Sequence, residues 1–340
     1  VEVVASGLKI PWTMDFTPDG GLLFTERGGT VFSLIQGKPK PILQLDVVAR
    51  EGDEGGLLGL AVSPDYADTK AIYLYYTYHG ERGSPLNRVS MFTMGADHSL
   101  GSEKVIIDSL PGGRVHNGGR IKFGPDGKLY VTVGETWHRE LAQMLDSLGG
   151  KILRLNPDGS VPWDNPFPDS PIFSYGNRNP QGLAWHPETG ALFSSEHGPS
   201  GENSWFAHDK INIIEPGRNY GWPHVIGYSI DSRFVSPIYQ TGDETWAPSG
   251  CAFVTSARYP RLRGRLLVAN LRGESLAAVT LRPPEYREVD KVDLLFEGEL
   301  GRLRDVTEGS DGYIYLCTSN RDGRGSPRRE DDLIVRMRGD

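Results

Sequence analysis

One phrase recurs along the chain: an apolar residue, a Pro-Asp-Gly-like turn, then an apolar or alternating run. It reads FTPDGGLLFTE from Phe16, VSPDYADTKAIYLYYT from Val62, FGPDGKLYVTVGE from Phe123 and WHPETGALFSSEHG from Trp185. It returns as RYPRLRGRLLVANLRG from Arg258 and as EGSDGYIYLCTSN from Glu308, where serine replaces the proline. Proline presets φ for the turn, aspartate caps it through its side chain, and glycine accepts positive φ. The residues that follow, such as Leu129-Tyr130-Val131-Thr132, read as strand. The turn positions Pro18, Pro64, Pro125, Pro187, Pro260 and Ser310 are separated by 46, 61, 62, 73 and 50 residues. That spacing is too irregular for a solenoid and suits one four-stranded sheet per repeat with variable loops. The prediction is an all-β fold, a six-bladed β-propeller of four-stranded antiparallel sheets, in which closure removes the exposed edges. Two separate β-sandwiches are the rival, but six related turns argue against them. No linker rich in Ser, Gly or Pro divides the chain, so residues 1–340 are read as a single β-propeller domain. The one helix expected is Glu140 to Leu148 (ELAQMLDSL), about two turns.

Composition narrows the function classes. With 12 Phe, 14 Tyr and 7 Trp, the chain has enough apolar side chain for a real core. The 36 Lys plus Arg against 44 Asp plus Glu give a net charge of -8, which excludes the basic footprint of a nucleic-acid binder. No segment approaches the ~18 apolar residues of a membrane span. Cys251 and Cys317 lie in strand-like apolar runs and are read as buried thiols rather than a disulfide framework.

Five stretches hold more Gly, His, Arg, Asn and acid than folding requires. Gly113-Arg114-Val115-His116-Asn117-Gly118-Gly119-Arg120 precedes the third repeat, and His116 at a channel mouth could take a proton from a substrate hydroxyl. Tyr175-Gly176-Asn177-Arg178-Asn179-Pro180-Gln181-Gly182 makes a stiff polar loop suited to a planar, oxygen-rich ligand. Ser195-Glu196-His197-Gly198-Pro199 could aim backbone carbonyls at a calcium ion, with Glu202 and Asp209 near enough in sequence to add carboxylates. Zinc held by His197 and His208 lacks a recognisable ligand spacing. In Gly301-Arg302-Leu303-Arg304-Asp305 the two arginines share one face of a strand and could grip carboxylates, unless they pair with Asp305. Arg272, in Asn270-Leu271-Arg272-Gly273, adds another cation. Arg178, Arg272, Arg302 and Arg304 aimed inward would repel one another without a polyanion, so the residues point to a multi-carboxylate or phosphate ligand beside a histidine.

These stretches carry a resemblance. HNGGR, GNRNPQGLA, EHGP and RLRDV, in this order and accompanied by LDSLGGKILRLNPDG and NYGWP, make the chain similar to the soluble pyrroloquinoline quinone (PQQ)-dependent aldose sugar dehydrogenases, relatives of soluble quinoprotein glucose dehydrogenase. The resemblance runs nearly end to end. It implies a six-bladed propeller that binds PQQ and Ca²⁺ and oxidises the C1 hydroxyl of aldoses to lactones. His116 would be the base and Ca²⁺ the Lewis acid, with hydride passing from C1 to the C5 carbonyl of PQQ. It implies that Arg178 and Asn179 contact the quinone oxygens and a carboxylate, that Arg302 and Arg304 grip PQQ carboxylates, and that the Gly198 and Pro199 carbonyls ligate Ca²⁺. Arg272 stands where the glucose enzyme has a lysine facing PQQ. Val115 replaces an aspartate at the sugar and Glu54 replaces a glutamine, which points to broad aldose use. Lys210 falls at an acidic position tied to an extra structural calcium, which disfavours a second Ca²⁺ and a calcium-dependent dimer; a monomer is expected. The electron acceptor is unidentified, and family habit places such enzymes in the periplasm or outside the cell. The alternatives are a Ca²⁺-dependent lactonase or other hydrolase, and a non-catalytic propeller binding a glycan or protein.

Overall fold

A computed structural model of the protein describes residues 1–35 and 37–339. It contains six four-stranded antiparallel sheets arranged in a ring, the six-bladed propeller that the repeats predict. The innermost strands are Pro11–Phe16, Leu57–Val62, Ile121–Phe123, Asn179–Trp185, Pro248–Phe253 and Leu303–Glu308, for blades 1 to 6 in turn. In blades 1 to 5 the strands follow chain order outward. In blade 6 the fourth, outer strand is Glu2–Ala5 from the other end of the chain, paired with Ile334–Arg336 and backed by an Arg336–Glu2 ion pair. That pairing closes the circle.

Each repeated turn joins an innermost strand to the second strand of its blade, for example Phe16 to Leu22 and Phe123 to Leu129. All six turns therefore lie at one end of the wheel. The loops entering the innermost strands and leaving the second strands lie at the other. The second strands Leu22–Glu26, Leu129–Val133, Leu266–Asn270 and Ile314–Thr318 are buried throughout, because neighbouring blades cover both faces of each sheet. That is why LYVTV and IYLCT are nearly continuous apolar runs. The largest cluster packs Trp12, Leu58, Tyr75, Ile121, Val131 and Leu153 between blades. Cys251 and Cys317 are buried free thiols within these layers.

The helix expected over Glu140–Leu148 does not form. Only a short 3₁₀ turn, Arg139–Ala142, is present, and a one-turn α-helix appears instead at Tyr66–Thr69 inside the second repeat. The reason is the buried Lys151 Nζ, which donates to the carbonyls of Leu141, Ala142 and Gly149 at 2.7, 3.1 and 2.7 Å. An α-helix over 140–148 would need the Leu141 and Ala142 carbonyls for its own ladder. No helix among the described residues is long and apolar enough to cross a membrane.

In five blades the innermost strand carries a register shift close to its start: between Pro11 and Thr13, Leu57 and Leu60, Pro180 and Gly182, Pro248 and Cys251, and Leu303 and Asp305. A bulge bends the strand and re-aims the side chains around it. All of these bulges lie at the end opposite the repeated turns, which is where the candidate site is found.

Candidate active site

His116 sits on the loop entering blade 3, buried, with φ of 54°. A non-glycine residue in the left-handed region is held there at a cost, which the surrounding contacts must meet. Gly118 and Gly134 allow the loop to press against the blade: a Cβ on Gly118 would strike the Thr132 carbonyl, and one on Gly134 would strike that of His116. Asn117 ties the loop further, taking the amide of Gly113 at 2.9 Å and the Asn87 side-chain amide at 3.1 Å. The glycines and asparagine of HNGG are thus the means by which the histidine is presented.

The imidazole Nδ1 hydrogen-bonds Glu135, a buried residue just beyond the second strand of blade 3. The Trp137 ring stacks on the other side, 5.1 Å between centroids and 22° from parallel. With Nδ1 committed to a carboxylate, Nε2 is the nitrogen left for the cavity, the tautomer a general base needs.

That cavity has a volume of about 350 Å³, and five guanidiniums line it: Arg178, Arg272, Arg302, Arg304 and Arg324. It also brings together Glu54, Val115, His116, Gln181 and His197. Arg178 pairs with Glu202, Arg324 with Glu54 at 2.6 Å, and Arg302 with Asp322 at 2.8 Å. Arg304 reaches Asp322 only at 3.9 Å, its Nη1 donates to Gln181 Oε1 at 2.9 Å, and its buried Nε has no partner. Arg272 is exposed at the wall. The site therefore holds more cationic donors than the protein itself satisfies, as an anionic ligand would require.

Six of the nine residues expected from sequence, Glu54, His116, Arg178, Arg272, Arg302 and Arg304, meet in this one cavity. Asn179 does not line it; its Oδ1 accepts the Gly118 amide at 3.0 Å while its buried Nδ2 is left without a partner. Gly198 and Pro199 line a narrow gap beside it, shared with Arg178, His197, His208 and Lys210. A Cβ at Gly198 would collide with the Ala207 carbonyl, so only glycine lets these two loop segments approach. The carboxylates expected to assist there are occupied. Asp209 accepts the amides of Gly198, Trp246 and Ala247 at 2.7, 2.7 and 2.9 Å, and Glu202 holds Arg178. Among the described residues no three His, Cys, Asp or Glu side chains group as a metal site, so His197 and His208 form no zinc centre. Nor does Asp305 pair with Arg302 or Arg304. It faces inward to Arg120 at 3.1 Å, to the Thr13 hydroxyl at 3.0 Å and to the Met14 amide at 3.1 Å.

Sequence reasoning missed Glu135, Trp137, Asp322 and Arg324. A signal for the first was present: LLFTE, LYVTVGE and LFSSE all close on glutamate. Each of these carboxylates anchors the loop entering the innermost strand of its blade. Glu26 accepts the Lys9 amide at 2.7 Å, Glu135 holds His116, and Glu196 accepts the Arg178 amide at 2.6 Å. In blade 6 Asn320 does the same for the Arg302 amide at 2.8 Å. Glu196 is fully buried and also takes the amides of Asn177 and Asn212 at 3.1 and 2.9 Å, with Lys210 3.5 Å away. Glu196→Ala should therefore cost about 3–5 kcal/mol, since it strands a buried cation and several donors; a urea melt measures it, and a loss below ~1 kcal/mol would contradict this anchoring role.

Glu54 and His197, both in the cavity wall, have displaced titrations. Burial opposes the Glu54 charge, but His116, Arg324 and the His116 amide outweigh it and hold the carboxyl down to about 2. Burial pushes the His197 imidazole down to about 3, opposed by Glu54 and reinforced by Arg304 and Arg178. Because His197 stays neutral when folded but protonates near 6.5 when unfolded, the unfolded state binds more protons between pH 6.5 and 3. The ligand-free protein should lose stability as pH falls through that window, and His197→Gln should flatten the loss, read as melting temperature against pH.

The closed wheel, with a carboxylate-held histidine opening on an arginine-lined cavity, has the architecture of a propeller enzyme. The chain belongs to the glucose/sorbosone dehydrogenase family, whose profile matches residues 8–334. It is 34% identical to aldose sugar dehydrogenase YliI of Escherichia coli (strain K12), over 96% of this chain and 93% of that protein. It is 32% identical to quinoprotein glucose dehydrogenase B of Acinetobacter calcoaceticus, over 70% of this chain and 55% of that protein. The PQQ-bound structure of an aldose sugar dehydrogenase from Streptomyces coelicolor superposes with a TM-score of 0.88 at 38% identity, covering 99% of this chain and 96% of that one.

Proposed function

We propose that the protein is a PQQ-dependent aldose sugar dehydrogenase that oxidises the C1 hydroxyl of aldoses to lactones, with His116 as general base. The observation that carries this reading is the Glu135-held His116 facing a cavity of five guanidiniums. The donor set suits a flat tricarboxylate. Arg302 and Arg304 supply forks for carboxylates, the partnerless Arg304 Nε seeks an acceptor, and Arg178 and Arg272 border the same space. Carbonyls of Gly198 and Pro199 are the hard oxygens that Ca²⁺ prefers, and a carboxylate-bearing cofactor would offset the nearby Arg178 and Lys210 charges. The chemistry supplied on binding is two-electron acceptance by PQQ and Lewis-acid polarisation by Ca²⁺.

The chain's own part is to orient and to move a proton. His116 Nε2 accepts the proton of the C1 hydroxyl, and Glu135 stabilises the imidazolium so formed without taking the proton itself. Glu54, ionised and paired with Arg324, fixes the His116 amide at 2.9 Å and lines the cavity. Glu135→Gln keeps the shape but removes this charge, so kcat should fall by up to about 10⁴-fold, the loss seen when the aspartate of a serine-protease triad becomes asparagine. Unchanged kcat in the loaded variant would count against the dyad.

Guanidiniums occupy the axis where a calcium lactonase would need acidic and amide ligands, which favours the dehydrogenase. The reading includes a periplasmic or extracellular setting, a monomer and an external electron acceptor. It is tested by adding PQQ and Ca²⁺ to the purified protein with a panel of aldoses and a dye acceptor. Dye reduction that requires PQQ is expected, and none across the panel would overturn it.

A further inference from the structure

The far end of the hub, where the repeated turns lie, holds a second hollow of about 420 Å³, larger than the arginine-lined cavity. The penultimate residues of five innermost strands line it: Asp15, Lys122, Ala184, Ala252 and Thr307. Arg120 separates the two spaces. From blade 3 its Nε donates to the Gln181 carbonyl of blade 4 at 2.8 Å and its Nη1 to the Thr13 hydroxyl of blade 1 at 2.7 Å, and it pairs with Asp305 of blade 6 at 3.1 Å. A side chain tied from blade 3 to blades 1, 4 and 6 crosses the axis, so it plugs the hub between its ends.

The far hollow carries one charge of each sign, on Asp15 and Lys122. Among the described residues neither joins an ion pair. The Asp15 carboxylate accepts the amides of Val62 and Phe16, both at 2.8 Å, and Lys122 Nζ donates to the Cys251 carbonyl at 3.3 Å. Burial pushes the Asp15 carboxyl up, against those amides and the Lys122 charge. Charges taken out of water without a partner are costly, and a purely structural hub would close such a pair on itself. Here the small Ala184 and Ala252 leave space instead, and Phe123 and Trp185 offer half-buried aromatic surface beside it. A volume of 420 Å³ falls within the ~300–1,000 Å³ of small-molecule sites. Two opposite charges that share a hollow without meeting suit a molecule that carries both. We infer that the far end of the hub binds a small zwitterion, an α-amino acid with an apolar side chain. Its ammonium lies against Asp15, its carboxylate against Lys122, and its side chain on Phe123 and Trp185. The inference is independent of the dehydrogenase reading, because Arg120 keeps the two ends apart.

Calorimetric titration of the purified protein with L-leucine, with and without PQQ, tests it. A Kd of about 1 mM or tighter is expected. 4-Methylpentanoate keeps the side chain and carboxylate but lacks the ammonium, and 3-methylbutylamine lacks the carboxylate; each should bind at least about tenfold more weakly. This comparison uses the parent protein and so does not depend on any variant folding. Lys122→Met should weaken leucine binding about tenfold, and Ala252→Phe, which fills the hollow without touching either charge, should abolish it. No leucine binding up to about 10 mM, either singly charged analogue binding as tightly as leucine, or folded variants that bind leucine as the parent does would each overturn the site. Displacement of leucine by PQQ would place it in the arginine-lined cavity and overturn the site as well.

Discussion

His116→Gln, loaded with PQQ and Ca²⁺, is expected to lose about 10²–10⁴-fold in kcat while its cofactor spectrum is retained. The separation of the two readouts follows from the geometry. The arginines that border the cavity lie on blades 4, 5 and 6 and their loops, and none donates to His116. No neighbouring group can substitute as base. Glu54 is close, but its carboxyl is held down to about 2 and already accepts from Arg324 and the His116 amide. His197 is pushed down to about 3, which makes it a poor proton acceptor near neutrality. A variant that turned over sugar at the parental rate would remove His116 from the chemistry.

Arg304→Ala should separate binding from folding in the opposite sense. Arg304 is buried, its Nε is partnerless, and burial pulls its titration down to about 10, against Asp322 and with Arg302. A basic group whose pKa falls on folding costs stability at every pH below its folded value. Removing it should leave the melting temperature of the cofactor-free protein unchanged or higher. Its loss from a bound tricarboxylate should cost about 2–5 kcal/mol, or roughly 30- to 4,000-fold in PQQ affinity. Arg302→Ala is the contrast: it abandons Asp322, whose side chain is 3% exposed, and should lower both stability and affinity. Fluorescence titration with PQQ and thermal melts of the two apo variants distinguish the cases. An Arg304→Ala protein that melts early and binds PQQ normally would reverse the argument.

The wheel itself was readable because its signal is local. A proline, an aspartate and a glycine within a few residues specify a turn wherever they occur, and the same phrase marks every blade. His116 stood out because only glycine-rich chain can carry it at positive φ against the blade. Glu135 was harder to see, since its meaning lies in matching the ends of LLFTE, LYVTVGE and LFSSE rather than in any one of them. Asp322 and Arg324 lie in SNRDGRG, which has no periodicity, and their pairing with Arg302 and Glu54 crosses 20 and 270 residues. The helix expected over 140–148 failed for a similar reason. Its pattern is sound, but Lys151, just beyond the segment, claims its carbonyls. Such competition is tertiary and leaves no trace in local propensity.

Closure by Glu2–Ala5 has a thermodynamic corollary. The groups converging on the hub belong to blades that are far apart in sequence, so they meet only while the ring is shut. A molecule held at the axis would act as a rivet, resisting the release of the terminal clasp by an amount that grows with the logarithm of its free concentration over Kd. Heat resistance in this protein should thus track cofactor supply, and the seam between the two chain termini should be the place where hydrogen exchange slows most when the axle is in place.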